Sequence, residues 1–128
     1  MIHTLFCPCG NEKNYSECCS AYLDRRKFAP SAEALMRSRY SAYVLKREDY
    51  VLDTWHPSTR PEKLDLSTDT QTRWLGLEVK RHELTALDQA IVEFIARYKV
   101  NGKAHRLHEI SRFIQLEQRW YYVDGDIL

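Results

Sequence analysis

Four cysteines fall within thirteen residues near the N-terminus, as Cys7-Pro8-Cys9-Gly10 and Cys18-Cys19, and the chain holds no others. So short a segment cannot bury a core of its own and needs a cross-link to hold a shape. Four soft thiolates on one loop suit a tetrahedral zinc ion. Disulfides are the competing explanation. A bridge inside either pair would distort the backbone, because disulfides set their Cα atoms ~5.5–6 Å apart. Cross-pairing, Cys7 with Cys18 and Cys9 with Cys19 or the reverse, stays sterically open. Residues 1–6 show neither the basic n-region nor the long apolar run of a secretory leader. A cytoplasmic chain keeps its thiols reduced, which favours metal. The expectation is one structural zinc on Cys7, Cys9, Cys18 and Cys19 in a cytoplasmic protein. Pro8 stiffens the first arm, and Gly10 can supply a positive φ after the second ligand. His3 reads as an exposed histidine, since four cysteines already complete the shell. Four thiolates on a divalent ion leave net negative charge. Lys13, Arg25, Arg26 and Lys27 are placed to offset it, although a solvated basic face is the plainer reading of each.

The remainder is a different kind of chain. Its 128 residues suffice for one core and one small appendage. With 19 basic and 18 acidic residues, net charge is +1, which gives no sign of nucleic-acid binding. No apolar run approaches the ~20 residues that span a bilayer. Residues 1–23 form the cysteine hook, Asp24 to Pro30 a charged connector, and 31–128 a second domain. Ser31 reads as the N-cap of a helix to about Arg47, with Glu33 in its first turn. Met36, Tyr40, Tyr43 and Val44 make its apolar stripe, widened by Leu35. Arg37 and Arg39 lie mostly off it and are expected in helix-to-strand ion pairs. Asp49 is placed to cap a short second helix through Trp55, ended by His56-Pro57. Pro61 to Leu64 suggests a further helical turn, and Ser67 to Thr72 a polar loop.

From Trp74 the hydrophobic period becomes two. Leu75, Leu77 and Val79 alternate with Gly76, Glu78 and Lys80. Ala90, Val92, Phe94, Ala96, Tyr98 and Val100 form one apolar face of a second strand. Asn101-Gly102 is a two-residue hairpin signal. Residues 104–116 make a third strand, and Trp120 to Val123 a fourth, ended by Asp124-Gly125. Helices followed by a four-stranded antiparallel meander read as α+β, with the helices covering one face of a curved sheet.

Several segments carry a family resemblance. C-P-C-G followed by Cys18-Cys19, with Tyr15 three residues before Cys18, resembles the SEC-C zinc motif at the C-terminus of the bacterial preprotein translocase ATPase. Ala34 to Tyr43, Thr54 to Ser58, Trp74 to Leu77, Ser111 to Phe113 and Trp120 to Gly125 resemble the bacterial YchJ family over essentially the whole chain. The resemblance implies a nuclear-transport-factor-two-like cone domain behind an N-terminal SEC-C hook, and Cys7, Cys9, Cys18 and Cys19 as zinc ligands. Two departures stand out. The usual Gly-Ser-Gly after the second cysteine is Gly10-Asn11-Glu12, and Glu12 tolerates positive φ poorly. Longer relatives carry a second SEC-C motif after the Val-Asp-Gly segment, and this sequence shows none. The family has no established biochemical activity.

Candidate pocket residues inside such a cone are Tyr40, Tyr43, Trp55, Glu109, Ser111 and Phe113. Glu109, Ser111 and Phe113 share one sheet face by alternation. Trp55-His56 and His108-Glu109 are the candidates for acid/base work. Glu109 is expected to face the interior and to pair with an arginine, Arg97 or Arg112, or with a hydroxyl of Tyr40 or Tyr43. A structural ion pair is the plainer explanation. His56 reads as a cap or surface residue, and His82 and His105 carry no signal. No catalytic triad, phosphate loop or carboxylate metal site stands out, and the reading leans away from an enzyme. The leading function is therefore a zinc-binding interaction or adaptor module whose hook docks on a protein partner. The alternative is a small-molecule binder or enzyme using the cone pocket, with zinc only structural. A thiol redox sensor is a third reading. A deep polar pocket beside Glu109 is the feature that separates the first two.

Overall fold

The structure, a computed structural model, describes residues 6–128; the expectation for His3 lies outside them. The hook opens with a single antiparallel bridge between Phe6 and Asn14 and a 3-10 turn, Tyr15–Glu17. A short helix α1, Ser20–Leu23, follows. Helix α2 spans Ala32–Val44, α3 Glu48–Asp53, and a second 3-10 turn Leu66–Thr68. Strands β1, Thr72–Ala86, β2, Gln89–Val100, β3, Lys103–Leu116, and β4, Arg119–Ile127, pair in chain order as an antiparallel meander.

Ser31 caps α2 as its sequence implies, its hydroxyl accepting from the Ala34 N–H at 3.1 Å. The turn expected at Pro61 to Leu64 is absent. The chain turns later, at Leu66–Thr68, because Glu48 accepts the Leu64 and Leu66 N–H groups and holds that stretch with Asp65 in a left-handed conformation. Asp49 lies inside the first turn of α3, with Arg47 at its cap position, and Trp55 falls beyond its end. β4 does not stop at Asp124-Gly125. A bulge opposite Arg112/Phe113 absorbs one residue, and pairing resumes through Ile127. Three further irregularities interrupt β1, between Trp74/Gly76, Val79/Arg81 and Leu84/Ala86. Bulges bend a strand and raise its twist, and these curl the sheet around α2. Asn101 and Gly102 both take positive φ in the β2–β3 hairpin, as expected. Glu117 and Gln118 do the same between β3 and β4 with no sequence cue.

The apolar face of β2 is the floor of the core, with Ala90, Val92, Phe94 and Ala96 buried. α2 packs on β1, β2 and β4 as well as on α1 and α3. It is therefore buried on several sides, and its small residues serve as contact points. Ser38 meets the Tyr50 hydroxyl of α3 at 2.7 Å, and Ser41 meets the hook. This explains why Arg39, placed off the stripe by the sequence, is only 4% exposed.

Candidate functional site

The hook closes on itself through main-chain bonds. Cys7 N–H donates to the Lys13 carbonyl at 2.7 Å, and Gly10 N–H to the Cys7 carbonyl at 3.3 Å. Gly10 takes φ +91°. Glu12 is not among the left-handed residues, so the departure from Gly-Ser-Gly imposes no strain there. The Tyr15 turn then delivers Cys18, whose N–H bonds the Tyr15 carbonyl, and Cys19 starts α1. All four sulfurs converge within 4.8 Å of one another. Cys9 and Cys18 Sγ lie 3.7 Å apart, Cys18 and Cys19 Sγ 3.9 Å. Four thiolates at ~2.3 Å from one tetrahedral centre stand about 3.8 Å from each other. The thiols are free and form one cluster rather than two bonded pairs. The donor set suits a metal ion.

Crowding redistributes the protons of this cluster. Contacts with the Cys19 and Cys9 thiols pull Cys7 far below the usual thiol range, and the reciprocal contacts push Cys19 up. A bound cation relieves that crowding by replacing the shared protons. Ser41 Oγ of α2 sits 3.4 Å from Cys7 Sγ, and Asn11 Nδ2 donates to Cys18 Sγ at 3.6 Å. Arg37 donates to the Cys9 carbonyl at 2.8 Å and pairs with Glu33 at 3.0 Å. Cys7, Cys9 and Cys19 are buried and belong to the same apolar cluster as the α2 and β2 residues. Of the four cations expected to offset the site, Lys13, Arg26 and Lys27 border a hollow of about 300 Å³ beside Cys18 and Cys19. Arg25 turns away to Asp49, at 3.4 Å.

The second site is a cavity of about 240 Å³ between α2 and the concave sheet face. Of the candidate pocket residues, Tyr40, Tyr43, Trp55, Glu109 and Ser111 line it. Phe113 does not. It is 2% exposed and packs behind Tyr122, ring centroids 5.7 Å apart. Glu109 is 9% exposed and faces inward, but its partners differ from those expected. Its Oε2 accepts from Ser111 Oγ at 2.5 Å and from the Tyr122 hydroxyl at 3.4 Å. Arg97 pairs with Glu78 at 3.8 Å, and Arg112 with Asp124 and Asp126 at 2.6 and 2.8 Å. Strand alternation sends both arginines to the opposite face from Glu109. His108 follows them outward, 2.7 Å from Glu93, and His56 Nδ1 meets Ser58 in an exposed loop.

Arg39 and Tyr122 are the polar pocket residues that sequence reasoning missed, beside apolar walls such as Trp74 and Phe94. Arg39 makes no helix-to-strand ion pair. Its guanidinium lies against both the Trp55 and Tyr122 rings, 5.0 and 4.6 Å from their centroids, and those two rings meet edge to face at 5.0 Å. One terminal nitrogen donates to the Val51 carbonyl at 2.7 Å and Thr54 Oγ1 at 2.8 Å. A signal was present: position 39 stands three after Met36 and four before Tyr43, inside the helical stripe. Burial lowers the arginine's affinity for its proton, and burial first, then the Glu109 charge, pushes the Tyr122 phenol up. Tyr43, Trp74 and Leu107 also line a wider opening of about 620 Å³ toward the Leu64–Thr72 loop.

A family model described as the YchJ middle NTF2-like domain matches residues 31–125. A UPF0225 protein of Bordetella pertussis is 52% identical over 123 residues, covering 94% of this chain and 92% of its own. A UPF0225 protein of Chromobacterium violaceum is 56% identical, covering 93% and 90%. Among solved structures, a SEC-C motif containing protein from Rhodopseudomonas palustris superposes with a TM-score of 0.86 at 37% identity, covering 96% and 98%. Another from Psychrobacter arcticus gives 0.80 at 30%, covering 100% and 86%. The chain therefore belongs to the YchJ family, a SEC-C cysteine hook joined to an NTF2-like cone.

Proposed function

We propose that this protein is a small-molecule binder whose cone pocket takes the ligand, while one structural zinc on Cys7, Cys9, Cys18 and Cys19 fastens the hook to the cone. The observation that carries the reading is a pair of opposite charges in one cavity. Arg39 and Glu109 are 4% and 9% exposed and both line it, yet no salt bridge within 4 Å joins either to a partner among the described residues. Buried charges are ordinarily paired, and an unmet pair in an aromatic-walled cavity is what a ligand site looks like before it is filled. The zinc would supply cross-linking only. Four thiolates close its shell, and three of them are buried. Free thiols suit a reducing compartment, which supports a cytoplasmic reading. Among the described residues no helix is long and apolar enough to cross a membrane. Thermal melts of zinc-loaded protein against a metabolite library test the pocket. A ligand that raises the melting temperature of wild type and not of Tyr122→Phe supports it; no stabilising compound at millimolar concentration counts against it. Elemental analysis tests the metal, with one zinc per chain expected.

The adaptor reading has its own support in the hollow beside Cys18. Its cations, Lys13, Arg26, Lys27 and Arg37, suit an acidic segment of a protein partner. Lys13→Glu with Arg26→Glu would abolish capture of such a partner and leave the pocket unchanged.

A further inference from the structure

We infer that the pocket's occupant is a small flat molecule bearing a carbonyl or carboxylate oxygen for Arg39 and an N–H or O–H for Glu109. This rests on the ligand-binding reading above and narrows it. The argument starts from the atoms left free. Arg39 spends one terminal nitrogen on Val51 and Thr54, and its Nε and second terminal nitrogen take no hydrogen bond among the described residues. Glu109 commits Oε2 to Ser111 and Tyr122, and its Oε1 takes no partner among the described residues. None of these three atoms is sealed in protein. Among the described residues, the sealed and unpartnered side-chain atoms are Asn14 Oδ1, His82 Nε2 and Trp120 Nε1. Open donors on a buried cation and an open acceptor on a buried carboxylate therefore face space that a small molecule enters.

Neither group can leave to find water. The guanidinium packs against the touching Trp55 and Tyr122 rings, and its bonds to Val51 and Thr54 pin it. Gly125 faces the Glu109 carboxylate so closely that a Cβ there would collide with it. The charges also select by sign. A bare anion suits Arg39 but meets Glu109, a bare cation the reverse, and an apolar guest leaves both charges desolvated and unmet. A molecule with an acceptor and a donor on separate edges satisfies both. Trp55, Trp74, Tyr43 and Phe94 form the walls, which favour a flat ring. A volume of about 240 Å³ is roughly eight times the ~30 Å³ share of a water molecule, the size range of a single substituted ring.

The three aminobenzoate isomers carry this pattern at three spacings, and benzoate, aniline and benzene each lack part of it. Each is titrated into full-length zinc-loaded protein while the indole N–H signals of Trp55 and Trp74 are followed by NMR. At least one aminobenzoate is expected to bind saturably and more tightly than benzoate or aniline. Glu109→Gln is expected to weaken it by roughly tenfold or more, with a smaller effect on benzoate. The wild-type comparison stands without any variant, should Glu109→Gln fold poorly. Benzene or benzoate binding as tightly as every aminobenzoate, or an aminobenzoate indifferent to Glu109→Gln, overturns the inference and leaves the pocket reading intact. If no probe moves either indole signal, both fall.

Discussion

The hook and the cone pocket put polar chemistry under cover by opposite routes. The hook gathers four sulfurs from thirteen consecutive residues, so its site closes locally. The pocket draws Arg39 from α2, Trp55 from the segment just after α3, Glu109 and Ser111 from β3 and Tyr122 from β4. Its geometry exists only when the sheet has curled around the helix. The two are joined by α2, which presents Ser41 and Arg37 to the hook and Arg39, Tyr40 and Tyr43 to the pocket. A local site depends on its cross-link, whereas a distributed site depends on the whole core. The comparison teaches that damage to each should spread differently.

Metal removal should produce the largest effect. Structural zinc contributes ~10–16 kcal/mol in isolated finger peptides, and even a fraction of that lowers the melting temperature by more than roughly 10 °C. In Cys9→Ser, hydrogen exchange should show amides of residues 6–23 losing protection, with α2 loosened near Ser41 and β2 intact. Loss of protection across residues 90–100 as well would mean that hook and sheet are one cooperative unit, and the comparison would break.

Gly10→Ala should come next, at about 2–3 kcal/mol in denaturant melts. Its φ is +91°, and the added Cβ would stand 2.9 Å from the Leu77 carbonyl oxygen, so the hook lifts off β1. Glu109→Ala should cost about 1–3 kcal/mol, the price of orphaning the Ser111 and Tyr122 hydroxyls. A broken buried ion pair would cost ~3–5 kcal/mol, and a melt in that range would show that Arg39 and Glu109 support each other directly. Ser41→Ala should cost only about 1 kcal/mol while speeding zinc loss to a chelator, because it removes a cone hydroxyl from the Cys7 sulfur.

The smallest effect is a pH dependence confined to the cone. The Leu66 N–H, then the Leu64 N–H, hold Glu48 below the usual carboxylate range. A depressed native pKa stabilises above the ordinary glutamate range and loses that contribution as pH falls through the native value. Glu48→Gln should flatten this acid limb of the melting curve. Zinc release, which follows thiolate protonation, should keep its midpoint in that variant. A shifted midpoint would show that the two regions titrate together.

The contrast between the sites also explains what could be read in advance. Sequence by itself determined the four-cysteine cluster, the N-cap at Ser31, the apolar face of β2, the Asn101-Gly102 turn and the inward parity of Glu109. Each rests on residues a few positions apart, where covalent geometry and period dictate which side chains meet. The β4 extension, the Glu117-Gln118 turn and the later placement of the second 3-10 turn carried no such cue. They follow from a bulge, from hairpin register and from Glu48 reaching across to Leu66. Position 39 falls within the helical stripe, but only the tertiary structure decided that its guanidinium lines a pocket against Trp55 and Tyr122. It also decided that Tyr122, and neither Tyr40 nor an arginine, meets Glu109. Those outcomes depend on how far the sheet curls around α2 and on which faces of that helix the hook and α3 cover. Curvature and coverage are set by contacts between residues distant in the chain, which no local pattern encodes.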